Sequence, residues 1–181
     1  MTRRSFVATL VLGLALVASP ALADGLAITG SGIRTKAVGP FSVNVYEIHH
    51  FIKDKPAKSK QAVIEADTDK QFALYFKRDV EAKKIKDAFR EAFQKNHYAD
   101  GGKIEQFVNA AGPDKDDIKE WEKGKPPSIT IKYNAGAKAT TITTAKGSAT
   151  IQGADFMKGV WSIWFGVIDQ PSLGDLLISK L

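Results

Sequence analysis

The chain contains no cysteine and only three histidines, His49, His50 and His97. Disulfides, thiol catalysis and cysteine-ligated metals are therefore excluded, and a hydrophobic core must hold the fold together. Adjacent strand residues point to opposite faces, so His49 and His50 cannot bind one metal from a regular strand. Nucleophile elbows, zinc-binding helices and phosphate-cradling glycine loops are also missing. Because tight metal sites need three or four converging ligands, we predict no metal and no cofactor.

Positive charge is present but is not gathered on one segment. The formal net charge is +6 at pH 7, and Arg3 and Arg4 supply two of the positive charges. Lysines in the rest of the chain are scattered, whereas nucleic-acid binding usually needs a clustered basic face. The sequence therefore predicts no nucleic-acid partner, although its surplus charge favours anionic ligands by long-range attraction.

One long hydrophobic run is present, and it lies at the N-terminus. Two arginines precede an apolar stretch from Phe6 to Ala18, which is followed by Ala21-Leu22-Ala23. These are the three regions of a secretory signal peptide with its cleavage site. We therefore predict a signal peptide at 1–23, one domain at 24–181, a periplasmic location and no stable membrane insertion after cleavage. An uncleaved anchor helix and an extracellular location are the alternatives.

The rest of the chain alternates between strand-like and helix-like hydrophobic patterns. Alternating apolar residues bounded by Gly, Pro or polar clusters predict strands at 26–36, 41–52, 61–67, 71–80, 128–134, 139–145 and 148–153. Apolar residues at helical spacing predict a helix capped by Asp79, and further helices at 101–111, 156–165 and 171–181. This order predicts an α+β fold with an antiparallel sheet, helices on one face, and a cleft between the layers.

Arg34 and Tyr46 lie symmetrically about Gly39-Pro40, which separates the first two predicted strands. An odd-length turn at Pro40 would place them opposite each other, with Cβ atoms about 5 Å apart. A guanidinium beside a phenol hydroxyl offers fixed donors suited to a carboxylate. The alternative is an edge-strand arginine whose aliphatic stem covers a tyrosine ring.

Four segments in this order resemble the chalcone isomerase-like family: GSGIRTK, VNVYEIHHFI, KRDVEAKKIKDAFREAF and FMKGVWSIWFGV. The resemblance implies an open-faced β-sandwich, in which a layer of helices covers a large antiparallel sheet. It also implies one of two activities. Plant enzymes of the family close a chalcone to a flavanone, whereas its plastid members bind fatty acids without isomerase activity.

The resemblance also assigns expectations to single residues. Arg34 matches the family arginine, which guides the substrate phenolate in the enzymes and holds the carboxylate in the fatty-acid binders. Tyr46 matches a tyrosine of the binders, where the enzymes carry threonine. The enzymes' helix motif Tyr-x-x-Lys-x-x-x-Asn is represented here by Glu81, Lys84 and Ala88. Only the lysine is kept, and a glutamate at the first position would repel a phenolate.

Three functions follow as hypotheses. The first is a periplasmic, non-catalytic binding protein for a small amphipathic carboxylate such as a fatty acid, held by Arg34 and Tyr46. The second is an isomerase or intramolecular lyase on an unknown substrate, in which Lys84 would be catalytic together with Tyr46, and Arg34 would position an anion. The third is an accessory domain that binds a protein partner through its lysine-rich helix face.

Overall fold

The computed structural model describes residues 25–112 and 117–181. The predicted signal peptide, 1–23, lies outside the described residues. Within them, no helix is long and apolar enough to cross a membrane. The described chain forms one sheet and a set of helices, and the predicted α+β class is confirmed.

In the described chain, six antiparallel strands form the sheet and neighbour one another in chain order. They are β1 (Ala27–Val38), β2 (Phe41–Ile52), β3 (Lys70–Phe76), β4 (Ile129–Asn134), β5 (Ala139–Thr144) and β6 (Gly147–Gln152). The described helices are α1 (Lys60–Glu65), α2 (Ala82–Lys95), α3 (Gly101–Ala111), α4 (Ala154–Phe165) and α5 (Pro171–Leu177). Their apolar faces and one face of the sheet share a single large core.

Helix α4 lies at the centre of this core. Large apolar and aromatic residues recur on it at helical spacing, and this stripe is buried. Phe72 of β3 packs between Trp161 and Trp164, with ring centroids 4.9 and 4.5 Å away. The opposite face of the sheet carries a smaller cluster in which Trp121 meets Tyr75 edge-on at 5.0 Å.

Two local predictions are wrong. Residues 61–67 were predicted as a strand, but α1 occupies this segment because the Ser59 hydroxyl accepts a hydrogen bond from the Ala62 amide at 3.1 Å. A short apolar run does not distinguish a strand from a buried helix turn. Asp79 does not cap α2, which begins after Glu81. Asp79 instead accepts the Glu120 amide at 2.8 Å and joins a distant segment to the end of β3.

The β1–β2 hairpin pairs Arg34 with Tyr46, although the turn differs from the predicted one. Val38 pairs with Phe41, so the turn is the two-residue loop Gly39-Pro40, with Gly39 in the left-handed region at φ +59°. That turn alone would place Val45 opposite Arg34. A bulge shifts the register by one residue between Arg34 and Thr35, and this shift produces the Arg34–Tyr46 pair.

Gly30 and Gly32, which precede Arg34 in β1, lie where helix α5 packs against the strand. Helix α5 crosses β1 so closely that a Cβ on Gly30 would overlap the Leu176 carbonyl oxygen and lie 2.7 Å from the Leu177 carbonyl carbon. A Cβ on Gly32 would lie 2.6 Å from the Leu173 side chain. These glycines therefore let the C-terminal helix rest directly on the strand that carries Arg34.

We expect Gly30→Ala to lower the free energy of unfolding by about 2 kcal/mol or more, because backbone atoms of α5 must move to admit the methyl group. Urea denaturation of the two proteins would measure the difference. Ser31→Ala is the matched control, since Ser31 is the neighbouring residue and is exposed. Equal stability of both variants would contradict this close contact of α5 with β1.

Candidate functional site

A cavity of about 340 Å³ lies between the far half of the β1–β2 hairpin, helix α2 and helix α4. Its walls are mainly apolar and include Ile85, Phe89, Ile163 and Val167. Its size falls at the lower end of the range for small-molecule sites in proteins. The cavity therefore suits a small ligand with a substantial apolar part.

The bulge in the hairpin brings Arg34 and Tyr46 to this cavity. Val45 and Tyr46 are consecutive in β2, yet both line the cavity, as residues at a bulge can. The Val45 carbonyl accepts the Lys77 amide at 2.9 Å, so the bulge leaves this carbonyl satisfied. On β1, Arg34 and Lys36 lie two residues apart and also line the cavity.

The Tyr46 hydroxyl is buried and interacts with Trp164 and Arg34. Trp164 Nε1 donates to Tyr46 Oη at 3.0 Å. Burial raises the pKa of the phenol above its ordinary 10.0, and the Trp164 hydrogen bond and the Arg34 charge partly oppose the rise. Tyr46 thus stays protonated at neutral pH, and its O–H proton has no acceptor among the described residues. The phenol can donate a hydrogen bond to a ligand.

The Arg34 guanidinium lies beside that phenol and is held by the loop between α4 and α5. One terminal nitrogen of Arg34 donates to Gln170 Oε1 at 3.3 Å, and the other forms an ion pair with Asp169. The Arg34 side chain is 18% exposed. Both terminal nitrogens of the guanidinium thus contact this loop, and Arg34 is a fixed, permanently charged group at the cavity wall.

Gln170 fastens this loop to the edge of the sheet. Its side-chain amide donates to the Ile33 carbonyl at 3.0 Å and accepts the Thr35 amide at 2.9 Å. The amide thus satisfies two backbone groups on the exposed edge of β1, as a neighbouring strand would. Both contacts flank Arg34, so the loop and the guanidinium are held in one place.

A buried hydrogen-bond network holds α4 against the sheet. Thr29 Oγ1 donates to the Leu177 carbonyl at 2.7 Å, so it accepts from His50 Nδ1 at 2.6 Å. This tautomer leaves His50 Nε2 to accept from Trp161 Nε1 at 3.0 Å. Trp161 precedes Trp164 by one helical turn. The network therefore helps to position the indole that contacts Tyr46.

Lys84 lies apart from the cavity. Its ammonium forms an ion pair with Glu81 on the solvent side of α2, and it does not line the cavity. Ala88, from the same family motif, does line it. The two adjacent histidines separate as the strand predicts: His50 is buried in the core, and His49 contacts Glu47 on the other face. No group of three or more ligating side chains that could hold a metal occurs in 25–112 or 117–181.

Sequence reasoning missed Trp164, Asp169 and Gln170 as site residues. Trp164 packs in the core, and its indole N–H also reaches Tyr46. Asp169 and Gln170 directly precede Pro171 at the start of α5, a position that signals a helix end rather than a ligand site. No pattern in the sequence indicates that this loop reaches Arg34.

The comparisons with known proteins agree with this architecture. A family model described as chalcone isomerase-like matches residues 18–175. The chain belongs to the chalcone isomerase-like family. Among solved structures, it is similar to the crystal structure of a fatty-acid binding protein of Arabidopsis thaliana, with a TM-score of 0.64 and 14% identity over 88% of this chain and 90% of that one. At this identity the likeness shows the fold. No curated protein sequence matches the chain.

The His50 network predicts a loss of stability in acid. Burial, with a smaller contribution from the Lys70 charge, lowers the pKa of His50 from 6.5 to about 3. Between pH 6.5 and pH 3, His50 is therefore protonated in the unfolded chain but stays neutral in the folded chain. The free energy of unfolding falls as the pH is lowered through this range. Between pH 7 and pH 4.5 we expect His50 to contribute a loss of about 2–3 kcal/mol.

Denaturant titrations at the two pH values, on wild type and His50→Gln, would measure this contribution. The glutamine variant starts from a lower stability but lacks the titrating group, so its loss on acidification should be smaller by about 2 kcal/mol. The same acid-dependent loss in both proteins would contradict a neutral, buried His50.

Proposed function

We propose that this protein is an exported, periplasmic binding protein without catalytic function, and that its ligand is a small amphipathic anion such as a fatty acid. The carboxylate would bind to Arg34 and Tyr46, and the hydrocarbon chain would lie in the cavity between the hairpin, α2 and α4. The signal-like N-terminal sequence supports the location, and the cavity supports the ligand class.

One observation carries the proposal: a guanidinium and an available phenol proton meet at the wall of a cavity that is otherwise mainly apolar. Both groups are hydrogen-bond donors, and one is permanently charged, so together they favour a carboxylate over a neutral oxygen. The apolar walls provide contact for a hydrocarbon chain, which gains free energy when it leaves water.

The fatty-acid binding protein of Arabidopsis thaliana supports the same choice through its shared fold. Tyr46 adds to this support, because the binders of the family carry tyrosine where the enzymes carry threonine. The isomerase alternative gains nothing from the position of Lys84, whose charge is paired with Glu81 outside the cavity. A general acid or base must reach the proton that it transfers.

We expect dodecanoate to bind the wild-type protein and Arg34→Ala to bind it about 10- to 100-fold more weakly, since hydrogen bonds to charged groups contribute about 1.5–3 kcal/mol. Tyr46→Phe should weaken binding less, by about 5-fold, because it removes one neutral donor. Isothermal titration calorimetry measures both, and Trp164 in the cavity wall provides a fluorescence signal.

Lys84→Ala is the control for loss of a positive charge on the surface, and it should bind dodecanoate as wild type does. Unchanged affinity in Arg34→Ala would overturn the assignment of the carboxylate site. Rapid turnover of an enone substrate that disappears in Lys84→Ala would favour the isomerase alternative instead.

A further inference from the structure

The Arg34 guanidinium already has a carboxylate partner within the protein. Asp169, in the loop between α4 and α5, forms an ion pair with one terminal nitrogen of Arg34 and itself lines the cavity. The Asp169 side chain is 59% exposed, compared with 18% for Arg34. The Arg34 guanidinium, which would bind a ligand carboxylate, is therefore already paired with the water-exposed carboxylate of Asp169.

We propose that Asp169 determines ligand specificity by acting as an internal substitute for the ligand's head group. The inference rests on the proposed function and adds a ligand class to it: only a ligand with its own ionised head group can replace Asp169 on Arg34. A fatty alcohol or ester brings no charge to the guanidinium, so it leaves the Arg34–Asp169 pair in place and gains only the apolar contacts.

Asp169 can leave Arg34 at little cost. An ion pair with one partner so exposed contributes little to stability, because water and salt screen it and solvate the freed carboxylate. The backbone of the loop need not follow, since Gln170 holds it through the Ile33 carbonyl and the Thr35 amide. The exchange thus needs a change of side-chain rotamer in Asp169 rather than movement of the helix α5.

The other charges around the cavity favour an anion once Asp169 is displaced. Glu91 and Lys95 on α2 neutralise each other, with 2.7 Å between their charged atoms. Lys36 also lines the cavity. Arg34 and Lys36 then give the cavity wall a surplus of positive charge, which attracts an anion. Asp169 stays nearby after it is displaced, and its negative charge weakens that attraction.

The test compares Asp169→Asn with wild type by calorimetric titration with dodecanoate and, separately, with 1-dodecanol. We expect Asp169→Asn to bind dodecanoate about 3- to 10-fold more tightly, as loss of one water-screened negative charge beside the site would give. Wild type should bind dodecanol at least 10-fold more weakly than dodecanoate. The affinity of Asp169→Asn for dodecanol should equal or exceed that of wild type.

Asp175→Asn is the matched control. It makes the same change in net charge, and Asp175 is similarly exposed at 67%, but it lies on α5, pairs with Lys60 of α1 and does not line the cavity. It should bind dodecanoate as wild type does. Equal tightening in both variants would assign the effect to net charge and overturn the inference.

The remaining outcomes separate the inference from the function on which it rests. If wild type binds dodecanoate and Arg34→Ala does not, but Asp169→Asn binds with unchanged or lower affinity, the role of Asp169 is wrong and the carboxylate site stands. Equal wild-type affinity for dodecanol and dodecanoate also overturns the selectivity. If neither wild type nor Asp169→Asn binds dodecanoate, both the proposed function and the inference are wrong. Binding by Asp169→Asn alone supports the inference.

Discussion

The site depends on the register of one hairpin. A two-residue turn at Gly39-Pro40 would by itself pair Arg34 with Val45, and the bulge changes that partner to Tyr46. Since side chains alternate between the faces of a strand, a slip of one residue would separate the guanidinium from the phenol. One additional residue in β2 therefore brings the two polar groups together at an apolar cavity.

The layers around the hairpin keep this arrangement in place. Gly30 and Gly32 allow α5 to rest on β1, and Gln170 at the start of that helix binds the strand on both sides of Arg34. On the other side, α4 presents Trp164 to the Tyr46 hydroxyl. The same contacts that pack the C-terminal helices onto the sheet thus also orient both polar groups of the candidate site. Packing and site geometry cannot be changed independently here.

Much of the fold could be predicted from the sequence because its helices and strands carry clear periodic patterns. The stripe on α4 and the alternation in β4, β5 and β6 are examples. Segment 61–67 was misassigned because its apolar run is too short to show a period, and a capping contact from Ser59 decides the outcome. The antiparallel order followed from the succession of strands and turns.

The candidate site was predictable only in part. Arg34 and Tyr46 could be paired by counting along the hairpin, although the count assumed a longer turn and no bulge, and the two errors cancelled. Asp169 and Gln170 are more than 120 residues away from Arg34 in the chain, as the sequence shows, and their contacts with it arise only from the packing of α5 on β1. Long-range contacts of this kind leave no local pattern to read.

The most direct test of the central claim is native mass spectrometry of the protein, purified under mild conditions from the cells that make it. The account predicts an additional mass that corresponds to one long-chain carboxylate, retained by the wild-type protein and absent from a variant without the Arg34 guanidinium. A ligand-free mass that stays unchanged after addition of fatty acid would contradict it and would leave Arg34 a structural residue at the sheet edge.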